Sequence, residues 1–486
     1  MRDSVIDFRP VLFVNGLLLL VLAVAMLFPA VADAAAGDPD WAVFVISAAV
    51  TAFFGLALGF GTRPAGRITL SARQSFMLTV IGWSSTSGFA ALPFAFSNLG
   101  LTSTDAVFEA VSGLTTTGAT VMLGLDHAPR GILLWRALLN WLGGAGIIVM
   151  AVAILPALRI GGMQVFRMET SDKTERVGPR ILQVAGGIGV VYVVFTVLTA
   201  LGFWVAGMGR FDAMCHALSA VSTGGFSTSD LRLAHWGADV QWVAVAAMLV
   251  GGSSLVLWTG MGRAARTSLF KDAQTRWYLM FIGGFSGLLA LWQWTVNDMP
   301  PAAALRHAAF SVTSIVSTTG FASTDWSAWG GFAHVVFFIL LFIGGCTGSA
   351  AGGIKILRWD LLFSITSAHI GRLLYPHGVY VIRYNNDMVA PTILDSVLGF
   401  VVLYFLTFAL FAVTLSVVGV DFVTALSGSA AALANAGPGI GDVIGPMGSY
   451  RPLPDAAKWI LALEMMIGRL ELFIVAVLFS RSYWRE

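Results

Sequence analysis

Ten long apolar runs occupy most of this chain and leave it few folds to choose from. They fall near residues 11–30, 41–61, 75–96, 131–158, 181–206, 239–262, 277–296, 332–357, 392–419 and 456–480. A hydrocarbon layer of about 30 Å takes roughly 20 apolar helical residues to cross. Inside that layer only helices and closed barrels satisfy their own backbone groups. Continuous apolar runs of this length predict an all-α polytopic membrane protein. Composition supports the same reading: 57% of the 486 residues are hydrophobic and 11% are charged. The mean hydropathy is +0.82, whereas a soluble chain carries about a quarter charged residues. One membrane domain is expected rather than several soluble ones.

Where the charges sit predicts the orientation, because loops rich in Lys and Arg stay cytoplasmic. With the N-terminus inside, twenty of the 28 Lys and Arg fall on the cytoplasmic side: Arg2, Arg9, Arg63, Arg67, Arg73, Arg159, Arg167, Lys173, Arg176, Arg180, Arg263, Arg266, Lys271, Arg276, Lys355, Arg358, Arg372, Arg383, Arg481 and Arg485. Six fall outside: Arg130, Arg210, Arg232, Arg306, Arg451 and Lys458, while Arg136 and Arg469 lie within predicted spans. Both termini are therefore expected in the cytoplasm. Arg2 and Arg9 ahead of Val11 to Phe28 mimic a secretory signal. That run is longer than the roughly 7–15 residues of a signal core, and Asp3 and Asp7 do not suit one, so it is read as a retained helix. Cys215 and Cys346 have no spacing partner and read as small buried thiols, not as a disulfide or metal site.

The connections after the third, fifth, seventh and ninth runs each hold a short apolar segment, at 104–116, 211–222, 303–318 and 421–435. These are too short to span and read as half-helices that enter the membrane and turn back. Such backbone survives at membrane depth only beside protein or a water-filled cavity, so four of them predict a pore. Each ends in a related string: LTTTGAT at 114–120, VSTGGFS at 221–227, VSTTGFA at 316–322 and LANAGPG at 433–439. Taking Gly118, Gly224, Gly320 and Gly437 as equivalent, the spacings are 106, 96 and 117 residues, the length of one helix, half-helix, helix unit. Repetition of a unit carries more weight than any single string, since small residues also mark close helix packing in membranes.

The residue types suit a cation filter. A potassium filter replaces the ion's hydration shell with backbone carbonyls turned inward along several residues, and glycine permits the positive φ this requires. Two residues before the glycines stand Thr116, Ser222, Thr318 and Asn435; one before stand Thr117, Thr223, Thr319 and Ala436; one after stand Ala119, Gly225, Phe321 and Pro438. Their side chains brace the strand or add an oxygen. Each half-helix would point its partially negative C-terminal end at the pore axis, which favours a cation. A second cluster lies inside the eighth run, where Gly344, Gly345, Gly348, Gly352 and Gly353 surround Cys346, Thr347 and Ser349. Each glycine costs a helix about 1 kcal/mol relative to alanine, so this crossing is expected to break, unless the stretch is only a face for close helix packing.

These strings resemble the Trk/Ktr/HKT superfamily of potassium transporters, and the two extra runs at the start resemble its bacterial TrkH-type membrane subunit. The resemblance implies four helix, pore loop, helix repeats around a central pore, preceded by two N-terminal helices. The units would be residues 1–67, 68–179, 180–275, 276–390 and 391–486. It implies potassium binding at the string residues above, with glycine at position 118 where serine accompanies sodium permeation. It also implies that 344–353 is an intramembrane gating loop with Arg469 beside it, repelling cations until the loop rearranges. Glu464 and Glu471 are alternative partners for that arginine in a purely structural ion pair. Placement in the bacterial inner membrane and a homodimeric assembly are implied too. So is a cytosolic TrkA-type regulatory subunit that binds the nucleotide (ATP, ADP or NAD), because no loop here has room for such a domain. Potassium would be the transported ion, and neither a covalently bound cofactor nor a nucleic-acid partner is expected.

A secondary transporter coupling entry to protons or sodium is the alternative function, but such proteins place ionisable residues at the midplane. Arg136, Arg469, Glu464 and Glu471 are the few such residues here. An enzyme is disfavoured, because no phosphate loop, metal cluster or nucleophile constellation appears.

Overall fold

The computed structural model describes residues 7–64, 66, 70–150, 177–259, 271–385 and 387–485. Of the residues used to orient the chain, Arg2, Asp3, Arg67, Arg159, Arg167, Lys173, Arg176, Arg263 and Arg266 lie outside the described residues, as do the ends of the fourth and sixth apolar runs. Apart from a two-stranded ribbon pairing Arg383–Tyr384 with Asp387–Met388, the described elements are helices.

Four of the ten runs hold helices long and apolar enough to cross a membrane: Arg9–Ala36, Trp41–Gly61, Gly186–Val205 and Pro391–Val417. Ala72–Ala90 and Ala273–Thr295 have spanning length with a more polar sequence, and Arg130–Val149 runs up to the edge of the described residues. The remaining three runs are interrupted. Ala238–Gly251 stops and resumes at Leu255–Thr259. Gly331–Leu340 stops, and helix resumes only at Ile356–Leu374. Asp455–Leu470 ends at Glu471, whose φ of 67° breaks the helix before Leu472–Leu478. The break in the eighth run was expected from its glycines; those in the sixth and tenth were not.

The first two helices pack as a hairpin through glycine. A Cβ on Gly16 would stand 2.8 Å from the Gly55 carbonyl and 2.9 Å from the Gly59 nitrogen, so the backbones touch where no side chain intervenes. Leu22, Met26 and Phe44 carry this pair into a core shared with Phe94, Ala110 and Trp135.

The four half-helices are Ser103–Leu114, Arg210–Val221, Pro301–Val316 and Phe422–Ala434. Local chemistry starts them: the Thr102 hydroxyl accepts from the Asp105 N–H at 3.1 Å, the Asp421 carboxylate accepts from the Thr424 N–H at 3.0 Å, and Pro301 opens the third. With 12, 12, 16 and 13 residues they reach about 18–24 Å at 1.5 Å per residue, short of the hydrocarbon thickness. Nearly every residue in their last two turns is buried.

Candidate cation site

All four half-helices end in one way. Thr116, Thr223, Thr318 and Asn435 take φ of 53°, 53°, 54° and 53°. Their N–H groups donate three residues back, to Gly113, Ala220, Ile315 and Ala432, at 3.0–3.1 Å. The next N–H groups, of Thr117, Gly224, Thr319 and Ala436, donate five residues back, to Ser112, Ser219, Ser314 and Ala431, at 2.8–2.9 Å. This pair of bonds is the Schellman ending, which normally recruits glycine or asparagine for its left-handed residue. Threonine there is a steric outlier, and such strain, of order 1–3 kcal/mol per residue, persists where the surroundings overdetermine it.

Two residues further on, a glycine also turns to positive φ: Gly118 at 80°, Gly225 at 77°, Gly320 at 79° and Gly437 at 90°. These four close on one another. A Cβ on Gly118 would run into the carbonyl oxygen of Gly224, one on Gly225 into that of Thr319, one on Gly320 into that of Ala436, and one on Gly437 into that of Thr117. Each string lies against the carbonyl of the next, and the fourth lies against the first. The result is a closed ring of four backbone segments with no room for a side chain.

This geometry corrects the register expected for the second string. Gly224 was matched to Gly118, but Gly225 occupies that place, and Thr223, not Ser222, is the left-handed residue. Ser222 still belongs to the helix end, with φ −80°. The glycine spacings become 107, 95 and 117 residues. Gly224 stands where Thr117 and Thr319 stand in their strings, and the reason is spatial: a Cβ there would meet the Asn140 side chain. Asn140 fills the threonine's place and donates to the Ser219 hydroxyl at 2.9 Å. Thr117 and Thr319 instead bond to the Thr115 and Ser317 hydroxyls at 2.8 and 2.7 Å. Phe226, absent from the expected site, takes the position of Phe321.

Buried polar groups hold the ring from behind. The Glu109 carboxylate accepts from Thr120 Oγ1 and from the Val121 N–H, and pairs with Arg136 Nε at 2.8 Å. Arg136 also donates to the Ser227 carbonyl at 2.7 Å and stacks its guanidinium 4.1 Å from the Phe226 ring centre. The intramembrane arginine of the fourth run thus ties the first string to the second. His216 faces Ser227 Oγ at 3.0 Å, Ser314 Oγ donates to the Phe321 carbonyl at 2.6 Å, and the Tyr450 hydroxyl donates to the Gly437 carbonyl at 2.7 Å. Asn435 Nδ2 donates to Thr117 Oγ1 at 3.0 Å, closing fourth string on first. Lys458, counted above with the external charges, is buried and pairs with Asp105 at 2.6 Å. Only their positions in the folded chain reveal these contacts, whose partners lie up to 353 residues apart.

The segment from Leu341 to Lys355 lies against the inner ends of the third and fourth half-helices. Gly344 donates to the Ile354 carbonyl at 2.7 Å and Gly345 accepts from the Ile356 N–H at 3.1 Å, closing a neck. Beyond the neck, the Cys346 N–H donates to the Gly252 carbonyl and the Gly348 carbonyl accepts from the Leu255 N–H, at 2.8 and 3.1 Å, so the loop fills the break in the sixth run. The Thr347 N–H reaches Gln274 Oε1 at 2.8 Å, and Ser349 Oγ turns back to the Cys346 carbonyl at 2.7 Å. The Gly352 N–H donates to Thr318 Oγ1 at 2.7 Å, and a Cβ on Gly352 would strike the Ala434 carbonyl. Gly348 and Gly353 have φ of 83° and 66°.

Arg469 is buried and donates through Nη1 to the Ala350 carbonyl of this loop at 2.8 Å. Its Nε and Nη2 have no partner among the described residues. The ion pair with Glu464 or Glu471 does not form: Glu471 binds Arg358 at 2.7 Å, and Glu464 accepts from Ser429 Oγ at 2.6 Å. Arg358, counted above as a loop charge, is itself buried, 3.6 Å above the Phe400 ring.

The fold defines a polytopic, all-helical membrane protein built around this ring. Residues 41–485 match the family described as TrkH, cation transport protein, and the chain belongs to that family, one of transporters and not of enzymes. It is 40% identical over its full length to the Trk system potassium uptake protein TrkI of Halomonas elongata, covering 98% of that protein. It is 36% identical to the Trk system potassium uptake protein TrkH of Escherichia coli K12, covering 99% of this chain and 100% of the relative. The crystal structure of the potassium transporter TrkH from Vibrio parahaemolyticus superimposes with a TM-score of 0.91 at 34% identity, over 99% of this chain and 100% of that one.

Proposed function

We propose that this chain takes up potassium across the bacterial inner membrane through the ring, with 116–119, 223–226, 318–321 and 435–438 as its filter and both termini in the cytoplasm. The four units would run over 68–179, 180–275, 276–390 and 391–486, after the N-terminal helix pair. The closed ring is the observation that carries the reading. Four strings, each pressed on its neighbour's carbonyl, support a cage of backbone oxygens that would substitute for an ion's water. The ends of four half-helices add partial negative charge near that cage. The relatives, named as potassium uptake proteins, support the choice of ion.

Gating is assigned to the loop from Gly344 to Gly353 together with Arg469. The loop packs directly beneath the strings at Thr318 and Ala434, and an arginine with no carboxylate partner among the described residues keeps its charge uncompensated near the path. That raises the energy of a cation there, more so where water is scarce. A homodimer and a cytosolic TrkA-type subunit that senses nucleotide complete the proposed assembly. Uptake of radioactive rubidium into proteoliposomes tests the core of this reading. Unlabelled potassium should compete and sodium should not; equal competition by sodium would remove the filter assignment.

A further inference from the structure

On the face of the ring opposite the loop, Arg232 holds a position that the reading above leaves unused. A void of about 10 Å³ lies directly against the ring, lined by Gly118, Gly320 and Gly437 and by Arg232, Gly448 and Tyr450. Such a space admits roughly one water or one bare cation. A second cavity, of about 280 Å³, is lined by Thr120, Met122, Leu125, Asp230, Arg232 and Gly448. Arg232, Thr120 and Gly448 border both, so the guanidinium stands where the wider cavity narrows onto the ring.

The chain holds Arg232 there at a cost. It is 9% exposed and sits at φ 55°, a left-handed conformation that arginine rarely adopts. Its Nη2 donates to the Gly448 carbonyl at 2.9 Å, which leaves the other donors directed elsewhere. It forms no ion pair among the described residues: Glu109 pairs with Arg136, and Asp230, which lines the same wider cavity, accepts from the Gly124 N–H at 3.0 Å. A buried positive charge with no carboxylate in direct contact among the described residues is expensive, and at the mouth of a cation path it opposes the ion it would admit. Its bond to Gly448 joins segments 216 residues apart, and that bond needs a donor but not a charge.

We propose that Arg232 is a valence filter, a fixed charge that makes entry to the ring costlier for divalent cations than for monovalent ones. This rests on the proposed function of the ring. Electrostatic work scales with the charge of the entering ion. Any factor by which Arg232 weakens a monovalent ion's access is therefore squared for a divalent ion. Potassium is held back somewhat, and magnesium, calcium or barium far more.

The test measures rubidium uptake into proteoliposomes, with barium on both sides as the blocker, since barium matches potassium in radius and differs mainly in charge. For Arg232→Gln the KM for rubidium should fall about threefold and the barium concentration for half-block about tenfold, the square relation expected of one charge. Arg232→Lys should stay close to wild type in both. Equal shifts in the two constants, or no shift in either, would overturn the proposal, as would a lysine variant that behaves like glutamine. If Arg232→Gln does not fold, the wild type decides. Raising ionic strength with a large impermeant salt should lower its rubidium KM by screening the charge, and an unchanged KM would overturn the assignment. Potassium-selective uptake that persists through either failure leaves the ring's function standing and removes only the role of Arg232.

Discussion

From Thr116, Thr223, Thr318 and Asn435 onward the four strings agree within 1° in φ at the first residue and within 13° at the glycine two residues later. The helices that return beneath them share no such pattern. Arg130–Val149 is unbroken as far as it is described, Ala238–Gly251 breaks at Gly252, Gly331–Leu340 gives way to a loop of irregular backbone, and Asp455–Leu470 breaks at Glu471. The three breaks are also wired together. The loop bonds to Gly252 and Leu255 of one, Arg469 just before another holds the loop's Ala350 carbonyl, and Arg358 just after the loop binds Glu471. On the proposed function, equivalence is kept where four oxygens would face one ion and abandoned where a single obstruction would be built and removed. Selectivity then belongs to the repeated part and gating to the part that departs from the repeat.

The largest effect expected from breaking that division is at the ring itself. Gly118→Ser and Gly225→Ser each force a side chain into a left-handed backbone, a cost of about 1–2 kcal/mol, and into the next string's carbonyl. Preference for rubidium over sodium should fall by about an order of magnitude, the change expected if displacing that carbonyl removes about 1.4 kcal/mol of differential ion binding. Competition assays in proteoliposomes measure it, and full selectivity in either variant would place that glycine outside the filter.

Changes beneath the ring should alter rate and spare selectivity. Arg469→Ala, or a loop shortened within 347–352, should raise flux without any regulatory subunit by about three- to tenfold, as expected from removing one repulsive charge or part of the obstruction. If the segment serves only to pack helices, the yield of folded protein falls and flux per folded molecule does not rise.

The smallest effect sharpens the register of the second string. Gly224→Thr should disturb uptake because Asn140 fills the space its side chain needs. Adding Asn140→Ala should recover about half of the loss, restoring the threonine that strings one and three carry. No recovery in the double variant would contradict the claim that Asn140 stands in for that side chain.

Much of the architecture was legible before the structure. The half-helices start and end within about two residues of the expected bounds, because apolar segments too short to span leave few choices. The break of the eighth run followed from five glycines that no helix tolerates cheaply. The second string was misplaced by one residue because two adjacent glycines, Gly224 and Gly225, each fit the pattern of a lone one. Only Asn140, 84 residues before Gly224, shows which of them lost a threonine. The break at Glu471 carries only the weak signal of Gly468, three residues before it, and no proline. Glu109, Arg136 and Tyr450 act through bonds to distant backbone, and periodicity contains no record of such contacts. Lys458 and Arg358 were counted as loop charges since a positive-charge count cannot tell a solvated lysine from one buried against a carboxylate.

The central claim, that four strings form a single cation cage, is tested most directly by locating the ion. Protein prepared in rubidium or thallium salt and examined by anomalous X-ray scattering should show a peak on the axis of the ring, within coordination distance of the carbonyls of Thr117, Gly224, Thr319 and Ala436. Sodium should not displace that peak and potassium should. An ordered structure with no peak inside the ring, or with its strongest peak elsewhere in the protein, would contradict the account.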